Sequence, residues 1–440
     1  MGQAQRDFSR SQELDERLRR LIPGGAHTYA KGADQYPEGM APVIARGSGA
    51  HVWDVDGNQY VEYGSGLRCV ALGHAHPRVN AAVAGTLDMG QNFVRPSALE
   101  VEAAEMLLSI VPRADMVKFG KNGSDATTAA VRLARAVTGR DLVGICRDHP
   151  FFSVDDWFIG ASPMPGGIPP ATRALTVGFG YGDLDDARKL LETYPDQIAC
   201  LVLEGATSAA PPPGYFAGLR QLCDEFGALL VIDEMINGFR LALGGAQEVY
   251  DIQPDLAAFG KAMGNGYAVS ALVGRREYMR LGGMDHAEER VFLLSTTHGA
   301  ETHALAAAMA VIETYREEDV IATLYRNGRL LGERVSAAAE AADVQKHVQV
   351  VGHPPNLVYA TLDADGDRSQ AFRTLFLQEL LQRGVIAPSF VVSAALTEED
   401  IEFTAQAVYE ACRVYRRALD DGIAGHLRGR PVQPALRPRS

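Results

Sequence analysis

No apolar run in the 440-residue chain approaches the roughly eighteen residues needed to cross a bilayer. The opening stretch MGQAQRDFSRSQELDERLRRL also lacks a signal peptide's hydrophobic core, so a cytoplasmic protein is expected. Cysteine is scarce. Cys69, Cys146, Cys200, Cys223 and Cys412 are odd in number and scattered, with no C-x-x-C pair. That spacing offers no zinc or dithiol centre, so reduced buried thiols and no metal are expected. Positive charge is in the minority, with 42 Lys and Arg against 55 Asp and Glu and a formal net charge of −13. A nonspecific grip on nucleic acid or an anionic membrane is therefore disfavoured. Repeats at solenoid spacing and low-complexity linkers are absent as well. What is present is ordinary globular material, 47% apolar and 22% charged, which excludes disorder as a description of the whole chain.

The helical pattern at residues 11–21 stops at the breaker cluster Pro23-Gly24-Gly25. Residues 50–63 read as two alternating runs around Asp56-Gly57, a hairpin signal. From about Glu100 onward short apolar runs alternate with helical stretches, the signature of a mainly parallel α/β sheet. Residues 142–146, 199–203, 229–232 and 269–273 read as buried strands, 256–259 as a short apolar run, and 218–226, 302–315 and 319–341 as helices. Helices at 370–383 and 398–419 suit a smaller terminal α+β unit, and the Arg- and Pro-rich tail from Leu427 is expected to fray.

Three ionisable residues share one kind of location. Glu204, Asp233 and Lys261 each follow an apolar strand candidate, and open α/β sheets bind ligands beyond the carboxyl ends of their strands. Each alone would equally suit a strand-end charge turned to water. A fourth element is Lys121-Asn122-Gly123-Ser124-Asp125-Ala126, followed by apolar residues at offsets of 3, 4, 7, 8 and 11 from Ala126. The offsets are helical, so Gly123 and Ser124 lie at a helix N-terminus, where free N–H groups and the dipole attract an anion such as phosphate. The same string also fits an ordinary N-cap by Ser124 or Asn122. An anion hole, a carboxylate and a lysine together meet the needs of pyridoxal 5′-phosphate (PLP). Its phosphate needs backbone donors, its ring nitrogen a carboxylate, and its aldehyde an amine.

The strings Asn122-Gly123-Ser124-Asp125-Ala126, Val231-Ile232-Asp233-Glu234-Met235-Ile236-Asn237-Gly238-Phe239-Arg240 and Phe259-Gly260-Lys261-Ala262-Met263-Gly264-Asn265-Gly266 resemble the signature segments of class III aminotransferases, especially the glutamate-1-semialdehyde 2,1-aminomutase branch. The resemblance extends from Ile22-Pro23-Gly24-Gly25 through Leu72-Gly73-His74 to Gly384-Val385-Ile386-Ala387-Pro388-Ser389. It implies an α/β, fold-type-I PLP-dependent transferase, with a large mainly parallel-sheet domain and a small α+β domain from both chain ends. Residues 1–65 and 325–440 would form the small domain, and 66–324 the large one. It further implies a homodimer with shared active sites.

Residue by residue, the resemblance makes Lys261 the Schiff-base lysine and proton shuttle, and Asp233 the partner of the pyridine nitrogen. Asn122, Gly123 and Ser124 fall in the phosphate-binding segment, and Thr297 matches the threonine that reaches the phosphate from the neighbouring subunit. Phe151 or Phe152 would stack on the cofactor, with Met235 against the opposite ring face. Glu204 matches a Glu-Pro motif in which Gly205 replaces the proline.

The substrate segments depart from the branch. Lys31 stands where an arginine fork would hold a carboxylate, Gly66-Leu67-Arg68-Cys69 replaces Ser-Trp-Gly-Pro, and Arg95 stands where a small residue is usual. The added positive charge suits an acceptor bearing carboxylate or phosphate. The expected activity is amino transfer from a small-molecule donor such as glutamate to an aldehyde or ketone acceptor, a sugar or secondary metabolite. A true aminomutase and a catalytically silent binding protein of the same fold are the alternatives.

Overall fold

The computed structural model describes residues 6–437, and the chain divides into two compact units. The larger, Arg68–Ala71 with Pro77–Ile321, is built on a seven-stranded sheet. Its strands in chain order are β1 Met116–Gly120, β2 Leu142–Cys146, β3 Thr176–Phe179, β4 Ile198–Glu204, β5 Leu229–Asp233, β6 Leu256–Phe259 and β7 Ser270–Gly274. Across the sheet the order is β1-β7-β6-β5-β4-β2-β3. The neighbours from β3 to β6 pair in parallel, whereas β7 runs antiparallel to both β6 and β1.

Strands β2, β4, β5, β6 and β7 are buried at every residue. Burial on both faces is why they read as unbroken apolar runs. The edge strands β1 and β3 are partly exposed and carry residues such as Lys118 and Thr176, so the apolar-run criterion passes them over. Side chains alternate across the sheet. Val202, Leu229 and Val231 pack with Ala126, Ala129, Ala130, Leu133 and Ala134 of helix Gly123–Thr138. Leu201, Leu203, Leu230 and Ile232 turn the other way, toward Leu219, Leu222 and Cys223 of helix Tyr215–Phe226. Burying each such aliphatic side chain stabilises by roughly 1.5–3 kcal/mol, so a one-residue slip of β4 or β5 is excluded. The same period of two sends Glu204 and Asp233 to the face of helix Gly123–Thr138 and Glu234 to the opposite one.

The smaller unit comprises the described parts of Met1–Leu67, Leu72–His76 and Ala322–Ser440. Ile44–Ser48, His51–Asp54, Gln59–Glu62 and Val385–Ile386 form a four-stranded sheet, the last strand pairing in parallel with Gln59–Glu62. The hairpin expected around Asp56-Gly57 is present, with Trp53 opposite Gln59 and Gly57 at φ +87°. A three-stranded antiparallel sheet follows, made of Val348–Val351, Asn356–Thr361 and Phe390–Val391.

The tail corrects an expectation. Rather than fraying, its described part is fastened: Val432 is buried and donates its N–H to the Thr374 hydroxyl at 2.8 Å, and the Arg430 N–H bonds Glu38 at 2.9 Å. A buried valine flanked by satisfied backbone donors holds the segment despite its polar composition; residues 438–440 lie outside the described residues. No helix among the described residues is long and apolar enough to cross a membrane.

Candidate functional site

Parallel register assembles the centre of the site. Glu204 at the end of β4 lies beside Asp233 at the end of β5, and Asp233 beside Ala258 of β6, three residues before Lys261. Lys261 is half-buried at φ +47°, a left-handed conformation that costs a non-glycine residue roughly 1–2 kcal/mol and that clusters at functional sites. Met235 packs against Gly260, where a Cβ would meet its sulfur at 2.7 Å.

The two carboxyls are tuned apart. Asp233 accepts the Met235 N–H at 2.9 Å, and burial pushes it up to about 6 against the pull of Lys261 and that donor. Burial and then the neighbouring Asp233 push Glu204 up to about 8, opposed by Lys261 and Arg68. At neutral pH Glu204 therefore holds a proton while most of Asp233 is ionised.

This tuning has a thermodynamic consequence. Between about 4.5, its ordinary value, and about 8, the folded chain keeps a proton on Glu204 that the unfolded chain has lost. That group's contribution to stability falls as pH rises through this window and levels off above it. For the cofactor-free protein, Glu204→Gln should raise Tm relative to the unmutated chain more at pH 8.5 than at pH 5. A difference in Tm independent of pH, followed by thermal denaturation, would contradict the assignment.

Asn122 occupies the N-cap of helix Gly123–Thr138, and the Asp125 carboxylate accepts the N–H groups of Lys121 and Asn122 at 2.8 and 2.9 Å. Gly123 and Ser124 follow in the first turn, where N–H groups have no acceptor within the helix. The Ser124 hydroxyl oxygen accepts the Val154 N–H at 3.0 Å, which leaves its own proton available to donate. Met235 closes against this turn: a Cβ on Gly123 would meet its sulfur at 3.0 Å.

The two phenylalanines separate cleanly. Phe152 is buried in the core with Trp157 and Phe158, and its carbonyl accepts the Thr127 hydroxyl at 2.8 Å. Phe151 is 44% exposed and touches Phe158 edge-on. Gly205 also has a structural cause: any Cβ there would collide with Ala246 Cβ, so the usual proline does not fit.

Two neighbours escaped the sequence reading. The Glu204 N–H donates to His149 Nδ1 at 3.1 Å, and burial lowers His149 to about 4, so the ring is neutral with its proton on Nε2. That buried Nε2 has no partner among the described residues. Arg240 is fully buried and donates from Nη2 to the Arg68 carbonyl at 3.3 Å. The string Gly-Phe-Arg flagged Arg240 only as part of a motif, and no local signal marked His149.

Arg68 is brought toward the centre. Burial lowers its guanidinium and the charge of Glu204 opposes that effect, while residues 65–68 all have left-handed φ values between +45° and +72°. Lys31 is exposed and belongs to the smaller unit. Thr297 and Arg95 are exposed, and Asn92 donates to the Thr297 carbonyl at 2.9 Å.

A family model described as aminotransferase class-III matches residues 32–144 and 182–407. Among solved structures, the chain is similar to the FumI protein of Sphingopyxis sp. MTA144 in its PLP internal aldimine form. The identity is 27%, over 96% of this chain and 99% of that one, with a TM-score of 0.85. An omega-transaminase from Sphaerobacter thermophilus is 26% identical over 92% of this chain and 97% of its own, with a TM-score of 0.82. A glutamate-1-semialdehyde aminomutase from Pseudomonas aeruginosa PAO1 shares the fold at 22% identity over 91% and 94% of the two chains, with a TM-score of 0.78.

Proposed function

Because the chain belongs to the class III aminotransferase family, we propose that it moves an amino group from a donor such as glutamate to the aldehyde or ketone of a sugar or secondary metabolite. The fold is that of the fold-type-I PLP transferases, and the cofactor is pyridoxal 5′-phosphate. When bound, that cofactor supplies an electrophilic aldehyde and a ring that withdraws electrons.

The residues present fit such a group. A buried, mostly ionised Asp233 suits a ring N–H⁺, the first turn at Gly123 and Ser124 suits a phosphate, and Lys261 stands between them in the chemistry as the amine. The register that aligns Asp233 with Glu204, on the sheet face covered by helix Gly123–Thr138, is the observation that carries this reading.

In this reading Lys261 provides the attachment amine, then takes and returns a proton at the substrate α carbon. Asp233 holds a proton at the ring nitrogen. Asn122 fixes the turn from which Gly123 and Ser124 donate to phosphate, and Met235 packs one ring face. Phe151, the exposed ring of its pair, stacks on the other face while Phe152 holds the loop in the core. Glu204 meets polar atoms of the cofactor with its buried carboxyl group. Arg68 receives the anionic group of the substrate, with Arg95 as a further cation for it.

We place Thr297 at a phosphate of a second copy of the chain in a homodimer. Its exposure, with that of Phe93, Val94 and Phe292, supports that arrangement.

The test is to load the purified protein with PLP, add glutamate and measure 2-oxoglutarate. Stoichiometric release is expected. Isomerisation of glutamate semialdehyde without any donor would establish the aminomutase instead, and failure to take up PLP would end the enzymatic reading.

A further inference from the structure

We propose that Glu301 is a positioning residue that, through Lys121, locks the loop carrying Thr297 to the phosphate-binding turn. The inference rests on the functional reading above, which supplies the phosphate.

Lys121 immediately precedes Asn122, and its N–H shares the Asp125 carboxylate with that of Asn122, so its backbone is part of the turn. Its ammonium lies 2.7 Å from Glu301 Oε2 and donates to the Ala268 carbonyl at 3.2 Å. One cation thus joins three segments: the turn, the connection from Lys261 to β7, and the loop before helix Thr302–Glu317. Glu301 reaches back along its own loop, where Oε1 accepts from His298 Nδ1 at 2.7 Å, one residue from Thr297. Beside it, Gly299 lies against β1 so closely that a Cβ would sit 3.0 Å from the Phe119 carbonyl oxygen.

Residues 295–298 are all exposed, so no apolar side chain anchors this part of the loop. Buried Leu293 and Leu294 hold its start, and polar links, among them Asn92 to the Thr297 carbonyl, hold the rest. The Lys121 and Glu301 side chains are only 16% and 18% exposed. A pair so shielded from water is stronger than a surface pair, and removing one member strands the other's charge. The sequence separation of the two residues hides the pairing from any local pattern.

The experiment compares binding of PLP and of pyridoxal, which lacks the phosphate, to cofactor-free wild type, Glu301→Gln, Lys121→Met and the double variant. Each single substitution is expected to weaken PLP binding at least about tenfold, and the double variant no further, as required of coupled partners. Pyridoxal binding should change less than about twofold. The charge-exchanged pair Lys121→Glu with Glu301→Lys should recover part of the PLP affinity. Unchanged PLP binding, equal losses for both ligands, or fully additive single effects would each overturn the proposal. Absence of PLP binding by the wild type would instead overturn the functional reading beneath it.

Discussion

Lys261→Ala is expected to abolish the visible absorption of the lysine-linked cofactor and to lower amino transfer by at least roughly 10²–10⁴-fold, the range that a positioned general acid-base group contributes. The protein should still fold. Lysine and alanine meet the same left-handed φ of +47°, and the replaced side chain is only half-buried. Lys261→Arg separates charge from nucleophilicity, because a guanidinium keeps the cation but does not become a neutral amine near neutral pH. Both variants should therefore be inactive, and near-normal turnover in either, with thermal denaturation confirming the fold, would remove Lys261 from the chemistry.

Asp233→Asn should produce the second-largest effect by a different route. The amide keeps the size of the side chain and can still accept the Met235 N–H, so the strand end and cofactor uptake are expected to persist. What is lost is the negative charge that holds a proton on the ring nitrogen. Stabilisation of developing charge by one group is typically worth about 10²–10³ in rate, so a drop of at least roughly a hundredfold is expected in single-turnover reaction with the donor. The pH dependence carries the sign. Burial holds Asp233 near 6 in the cofactor-free protein, so cofactor capture by the wild type should improve as pH rises through that value and the carboxylate forms. The asparagine variant should lose that rise. Wild-type kinetics in this variant, or an unchanged binding profile, would contradict the role.

Several parts of this site were legible before any coordinates. Burial on both faces makes β4, β5 and β6 continuous apolar runs, and the charges that end or follow them stand out for the same reason. Helix Gly123–Thr138 announces itself by its periodic apolar residues and its N-terminal Asn-Gly-Ser. Strands β1 and β3 stayed hidden because edge strands satisfy water as well as the core and so mix residue types. The tail from Leu427 misled because composition reports average solvation, whereas one buried Val432 and the satisfied backbone donors of Arg428, Arg430, Val432 and Gln433 fix the chain.

By itself, the sequence determined which residues alternate across a strand or repeat along a helix, and which ionisable groups sit where those patterns stop. These are local properties, written by side-chain volume and polarity within a few residues. Tertiary structure alone decided that Glu204 lies level with Asp233, that β7 runs against its neighbours, that Phe151 rather than Phe152 is exposed, and that Lys121 meets Glu301. Such pairings arise from the packing of the whole sheet and its covering helices, whose free energy is shared among distant residues and leaves no mark in any short stretch of chain.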